Sequence, residues 1–166
     1  MIWVCRTGKN SEFIEYYKEN QRIYLPWDGY NVNLSKYMDI QEYRELVKKE
    51  KKTDVRTSVS NWAGQLYTFV YGMQKDDYVL LPYKQSKAFV LAKITDDYHY
   101  NKKDPQMLWH SRGIRIVLDG IPFDLFSQQM KYTLRAYRTI FRIKNEEEFF
   151  KTISKYAKEV EFDGFR

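Results

Sequence analysis

One cysteine, two histidines and four prolines occur in 166 residues, and each scarcity closes off a class of protein. Cys5 alone leaves no internal disulfide, and its apolar setting, IWVC, predicts a buried, inert thiol. So few sulfur and imidazole ligands exclude a conventional structural zinc site, and no metal or cofactor is expected. Few prolines and glycines, with no repeats, leave no low-complexity segment or internal linker. No apolar run approaches the ~18 residues of a membrane helix. The opening MIWVCRTGKNSEF lacks the basic start and long apolar centre of a signal peptide, so a cytoplasmic protein without membrane attachment is expected.

Catalytic signatures are missing too. Neither GxxxxGK[ST] nor GxGxxG is present, and there is no GxSxG elbow. His99 and His110 flank a polar loop and read as solvated loop residues rather than bases. Asp96 and Asp97 end a strand, but no acid-x-Lys pair follows on a neighbour. DIQEYRELVKKEK has nuclease-type residues but reads as a helix. No catalytic residue is assigned, and the chain alone is not expected to be an enzyme.

What is present is aromatic and basic. The length suits one domain with a real core. Fifteen tyrosines are more than such a domain buries, so some must face solvent. The net charge of +6 favours an anionic partner, nucleic acid or an anionic membrane, without requiring one.

The elements read as follows. IWVCRTG is a strand, NSEFIEYYKEN a short helix capped by Asn10 or Ser11, and RIYLPW a second strand ended by Pro26. DIQEYRELVKKEKK places Ile40, Tyr43, Leu46 and Val47 at helical spacing. A helix over residues 58–73, capped by Ser58, turns Trp62, Leu66, Phe69, Val70 and Met73 to one face, with Gln65 at its edge and Asn61 and Tyr71 off it. DYVLLPY and SKAFVLAKI form a hairpin. TDDYHYNKKDPQMLWHSR is a long loop, and GIRIVLDG a strand with Ile114, Ile116 and Leu118 inward and Arg115 outward. IPFDLFSQQMKYTL is irregular or partly helical. YRTIFRI is a strand with Arg138 and Arg142 on one face, and Asn145 and Glu148 box the start of a closing helix. About six strands among four or five helices predict an α+β domain, a barrel-like, mostly antiparallel sheet flanked by helices.

Trp3 and Trp62 read as core. Trp27, between Pro26 and Asp28, and Trp109, in PQMLWHSR, sit among polar loop residues. Each is either a lid over the barrel mouth or one wall of a cage for a flat group. Around them cluster Lys102, Lys103, Arg112, Arg115, Lys131, Arg135, Arg138 and Arg142, interleaved with Tyr98, Tyr100, Tyr132 and Tyr137. That is either a solvated face or a nucleic-acid surface.

The order IWVCRTG, YLPW, NWAGQLYTFVYGMQKDDYVLLP, VLAKITDDYHYNKKDP and HSRGIRIVLDGIPFDLFSQQMKYTLRAYRTIFRI is similar to the N-terminal domain of Mrr-like restriction endonucleases. That domain resembles the EVE and YTH members of the PUA-like superfamily. The resemblance implies a β-barrel of about six strands over residues 1–143, with residues 144–166 a helix and tail leading to an absent effector. It implies a pocket that holds a methylated base flipped out of DNA, as specificity domain of a modification-dependent restriction system. Trp27 and Trp109 would form its cage, Thr7 and Asn10 would read the base edge, and Tyr98 and Asn61 would stand nearby. Arg6, Arg112, Arg115, Lys131, Arg135, Arg138 and Arg142 would hold the nucleic-acid backbone. The implied partners are DNA with a modified base and a nuclease or NTPase effector, in cis or in trans. Two other readings stay open: a reader of modified RNA, and a small-molecule or protein-interaction module.

Overall fold

The structure, a computed structural model, describes residues 1–160. The tail EFDGFR, with its expected lead into an effector, lies outside the described residues. Seven strands form one sheet: β1 (Ile2–Cys5), β2 (Arg22–Tyr24), β3 (Tyr78–Tyr83), β4 (Ala88–Ile94), β5 (His99–Tyr100), β6 (His110–Pro122) and β7 (Ile140–Arg142). Among the described residues five α-helices accompany them: α1 (Ile14–Asn20), α2 (Ile40–Lys51), α3 (Arg56–Tyr67), α4 (Gln128–Leu134) and α5 (Glu146–Glu159). The strand order is β2-β6-β4-β3-β1-β7, with β5 added on β6. Among the described residues, only β1 and β3 pair in parallel. The chain is therefore α+β, with a mostly antiparallel sheet curled into a half-barrel.

The central strands are apolar at consecutive positions because both faces of the sheet are covered. Along β1, Trp3 and Cys5 join the core under α1, α2 and α3, while Ile2 and Val4 join the core under α4 and α5. β3 divides likewise, Val79 and Leu81 against Leu80, and β4 places Val90 and Ala92 against Phe89 and Leu91. Phe149 and Ile153 of α5 belong to the second of these cores.

Curvature comes from β6. Its pairing with β4 passes from Leu91↔Leu118 to Ala92↔Ile116, leaving Val117 as an extra residue, and a second shift lies between Leu118 and Ile121. Gly120 sits in that second bulge at φ +75°, where a side chain is strained. Bulges bend and twist the strand, and the sheet edges come together. Just past β2, Trp27 Nε1 donates to Thr139 Oγ1, just before β7, at 3.1 Å.

Several local expectations change. α3 starts at Arg56, so Ser58 lies inside its first turn. The helix then widens into a π-helical turn over Thr68–Gly72. α1 begins after Phe13 with no side-chain cap, because Ser11 is used elsewhere. β7 is only three residues long, and Arg138 precedes it in an irregular connection. Asn145 caps α5 by accepting from Glu148 N–H at 3.2 Å, but the Glu148 carboxylate takes Asn145 Nδ2 and Ser127 Oγ rather than closing the box on the backbone.

Candidate functional site

The sheet edges meet around a cleft of about 1050 Å³. Its first wall is the loop after β1. Gly8 turns it at φ +103°, where a Cβ would collide with the Glu12 side chain. Ser11, also at positive φ, fastens this loop to the β3–β4 turn. Its Oγ donates to Pro82 O at 3.0 Å and accepts from Lys84 N–H at 3.1 Å. Gln85 Nε2 donates to Asn10 O at 2.7 Å, and Lys84 Nζ to Lys9 O. The turn YKQSK is thereby made the second wall, with Tyr83, Lys84 and Lys87 on the cleft.

The third wall is the end of α4 and the connection to β7, through Leu134, Arg135, Tyr137 and Thr139. Arg6 holds it from inside. Its Nε donates to Arg138 O at 3.1 Å, its Nη2 to Ala136 O and Leu134 O, and its backbone N–H to Thr139 O at 2.8 Å. Burial lowers the Arg6 pKa from its ordinary value. Phe123, also on the cleft, lies below the Arg135 guanidinium at 5.0 Å and Lys131 Nζ at 5.5 Å. Trp27 closes the back. It is buried, 4.4 Å edge-on to Trp62 and 5.9 Å from Tyr30, with Lys51 Nζ 4.0 Å over the Trp62 ring.

The lining thus holds five cations, Arg6, Lys9, Lys84, Lys87 and Arg135, against one carboxylate, Asp124. A smaller hollow of about 650 Å³ lies alongside. It carries Arg135, Arg138, Arg142 and Lys144, so Arg135 belongs to both.

Of the residues expected at a site, Trp27, Asn10, Arg6 and Arg135 line the cleft. Thr7 lies between two lining residues, fully buried, and its Oγ1 has no hydrogen-bond partner. Arg138 and Arg142 line the adjoining hollow, where Arg142 also meets Glu146 at 3.5 Å. Lys131 pairs with Asp124 at 3.3 Å. Arg115 is exposed on β6.

Others lie apart. Trp109 is not on the cleft: its Nε1 donates to Asp104 O at 2.9 Å and its ring packs on Tyr100. Tyr98 is a structural link, its hydroxyl receiving Leu34 N–H at 3.1 Å and meeting His110 Nδ1 at 2.6 Å. His110 is not a loop residue: it is buried at the start of β6, where burial pushes its pKa down to about 4. Asn61 accepts from Gln65 Nε2 at 3.4 Å, and Gln65 Oε1 receives the β7 N–H of Ile140 at 3.0 Å. Arg112, expected to face a nucleic-acid backbone, is buried, 1% exposed. Its Nη1 instead donates to the carbonyls of Phe69 and Val70, both at 3.1 Å, in the π-helical turn.

Tyr83, Lys84, Lys87, Lys9 and Phe123 line the cleft without a motif in the sequence that marks them. The signal was two lysines and a tyrosine around a hairpin turn, YKQSK, whose polar middle reads as ordinary turn chemistry.

Among solved structures, the NMR structure of Rpa0253 from Rhodopseudomonas palustris is similar at 12% identity, over 95% of this chain and 93% of that one, with a TM-score of 0.41. No curated protein matches the chain. Residues 3–144 match a family described as a domain of unknown function, DUF8426, and the chain belongs to that family.

Proposed function

We propose that this chain is a nucleic-acid-binding module that takes a base turned out of its strand into the cleft beside Trp27. In this reading the curled sheet is a PUA-like half-barrel. The chain is the specificity part of a modification-dependent restriction system, reading a methylated base in DNA and leaving cleavage to an effector in cis or in trans. The observation that supports it best is the cleft lining, where Tyr83 and Phe123 stand among five cations. Stacking rings hold a base, cations hold its phosphates, and the volume has room for a nucleotide. Phosphate contacts supply affinity and the enclosed base supplies selectivity.

In this reading selectivity rests on residues other than Trp27. Trp27 is almost wholly covered by Trp62, Tyr30 and Thr139, so it forms the back of the cleft rather than an open cage wall. Tyr83 takes that role. The test is fluorescence anisotropy on matched short duplexes carrying adenine, N6-methyladenine or 5-methylcytosine at one position, with single-stranded RNA of the same sequence as competitor. The wild type is expected to prefer one modified duplex over its unmodified match and over RNA. Tyr83→Ala is expected to lose about 1–3 kcal/mol on that duplex and less on the unmodified one. Lys87→Ala is expected to weaken both equally. Preference for RNA would move the reading to modified RNA, and equal, weak binding of every probe would remove it.

A further inference from the structure

We infer that the connection between α4 and β7, residues 135–139, is a wedge that enters the duplex, with Tyr137 as the side chain that fills the space left by the displaced base. This rests on the reading of the cleft as a nucleic-acid site and names how that site obtains its base. Tyr137 is 100% exposed, and Tyr132, in the last turn of α4 just before the connection, is 82% exposed. Tyrosines left bare on a surface this basic gain nothing for the fold. The connection forms a ridge between the two hollows: Tyr137 lines the cleft, Tyr132 lines the smaller hollow, and Arg135 lines both.

A wedge must be rigid, because unstacking a base step costs a few kcal/mol that a soft loop would not transmit. Here rigidity comes from Arg6. Its guanidinium binds the carbonyls of Leu134, Ala136 and Arg138, and its backbone N–H binds that of Thr139. Four carbonyls of a six-residue stretch turn inward to one arginine. Trp27 Nε1 fixes the Thr139 side chain, so the ridge is tied directly to the back of the cleft. The flanking cations, Arg135 and Arg138, stand where phosphates on either side of an opened step would pass.

The test uses a short duplex with 2-aminopurine, an adenine analogue, mismatched at the target position, and for affinity the same duplex with adenine, N6-methyladenine or 5-methylcytosine there. A mismatch lowers the cost of flipping, and 2-aminopurine brightens when it loses its stacking partner. Binding by the wild type is expected to raise the fluorescence. Tyr137→Ala is expected to abolish that rise and to weaken binding about tenfold to a hundredfold. It is expected to leave the salt dependence unchanged, because no charge is removed. Tyr137→Phe is expected to restore both signals, and melting temperatures are expected to match throughout, since the ring is fully exposed. A fluorescence rise of wild-type size in Tyr137→Ala overturns the wedge while leaving the cleft reading intact. Failure of the wild type to bind any of the duplexes overturns the cleft reading and the wedge with it.

Discussion

Two buried residues show how an environment reassigns a side chain. His110 lies between the Tyr98 hydroxyl and the Tyr30 carbonyl, with the rings of Tyr98 and Tyr100 stacked on it. Burial lowers its pKa from 6.5 to about 4, so the folded protein holds it neutral while the unfolded chain protonates it. The unfolded state then binds more protons between those values, and stability falls as pH drops from about 6.5 toward 4. A tenfold change in proton affinity corresponds to ~1.4 kcal/mol, so the loss is about 3 kcal/mol. Urea titrations at pH 7 and pH 5 are expected to show the decline, and His110→Gln to flatten it; equal midpoints at both pH values in the wild type would contradict the assignment. Arg112 is the second case. In the sequence it is one more cation on a basic strand, but the π-helical turn presents two carbonyls to it. Arg112→Met is expected to lose about 3 kcal/mol or more, since hydrogen bonds from charged donors contribute about 1.5–3 kcal/mol each. Trp27→Ala is expected to cost about 3–5 kcal/mol by thermal melting, as truncation of a buried aromatic does.

Helix α3 illustrates what one element does for another. Its stretch NWAGQLY carries a glutamine into the core because β7, at the sheet edge, needs an acceptor for Ile140 N–H. Gln65→Leu keeps the volume but leaves that buried donor unpaired, and a loss of about 1–3 kcal/mol is expected in denaturant melts. Amide exchange of Ile140 is expected to quicken relative to Val4 in β1. The elements most legible in the sequence are those set by local patterns. Tyr43, Leu46 and Val47 on α2, Phe149 and Ile153 on α5, and the β3–β4 hairpin all follow from spacing and turn chemistry. The elements misread depend on distant partners. The starts of α1 and α3 lack side-chain caps, and Ser11 commits its hydroxyl to Pro82, some seventy positions away. The second wall of the cleft was hidden for the same reason. Lys84 and Lys87 sit on an ordinary polar turn until the Ser11 loop docks against it. Trp109 and Tyr98 drew notice as aromatics in a polar loop, but hydrogen bonds to Asp104, Leu34 and His110 hold them as structure.

Across the whole molecule, charge and shape coincide: the curl of the sheet gathers five cations around the cleft and leaves Arg138, Arg142 and Lys144 in the hollow beside it. A net charge of +6 alone would give some salt-dependent attraction to any polyanion, so the cleft must be separated from the average surface. Removing Lys84 and Lys87 together takes two charges from the cleft wall; removing Lys151 and Lys155 takes two from exposed positions on α5. Both pairs change net charge equally. The decisive measurement is the slope of log K against log salt for a short duplex, in the wild type and in these two double alanine variants. With about five phosphates neutralised the wild-type slope is expected near −4.5, at about 0.9 per phosphate. The cleft variant is expected to shallow it by about 1.8, and the α5 variant to leave it unchanged. A flat wild-type slope, or equal shallowing by both variants, would contradict a nucleic-acid site in the cleft.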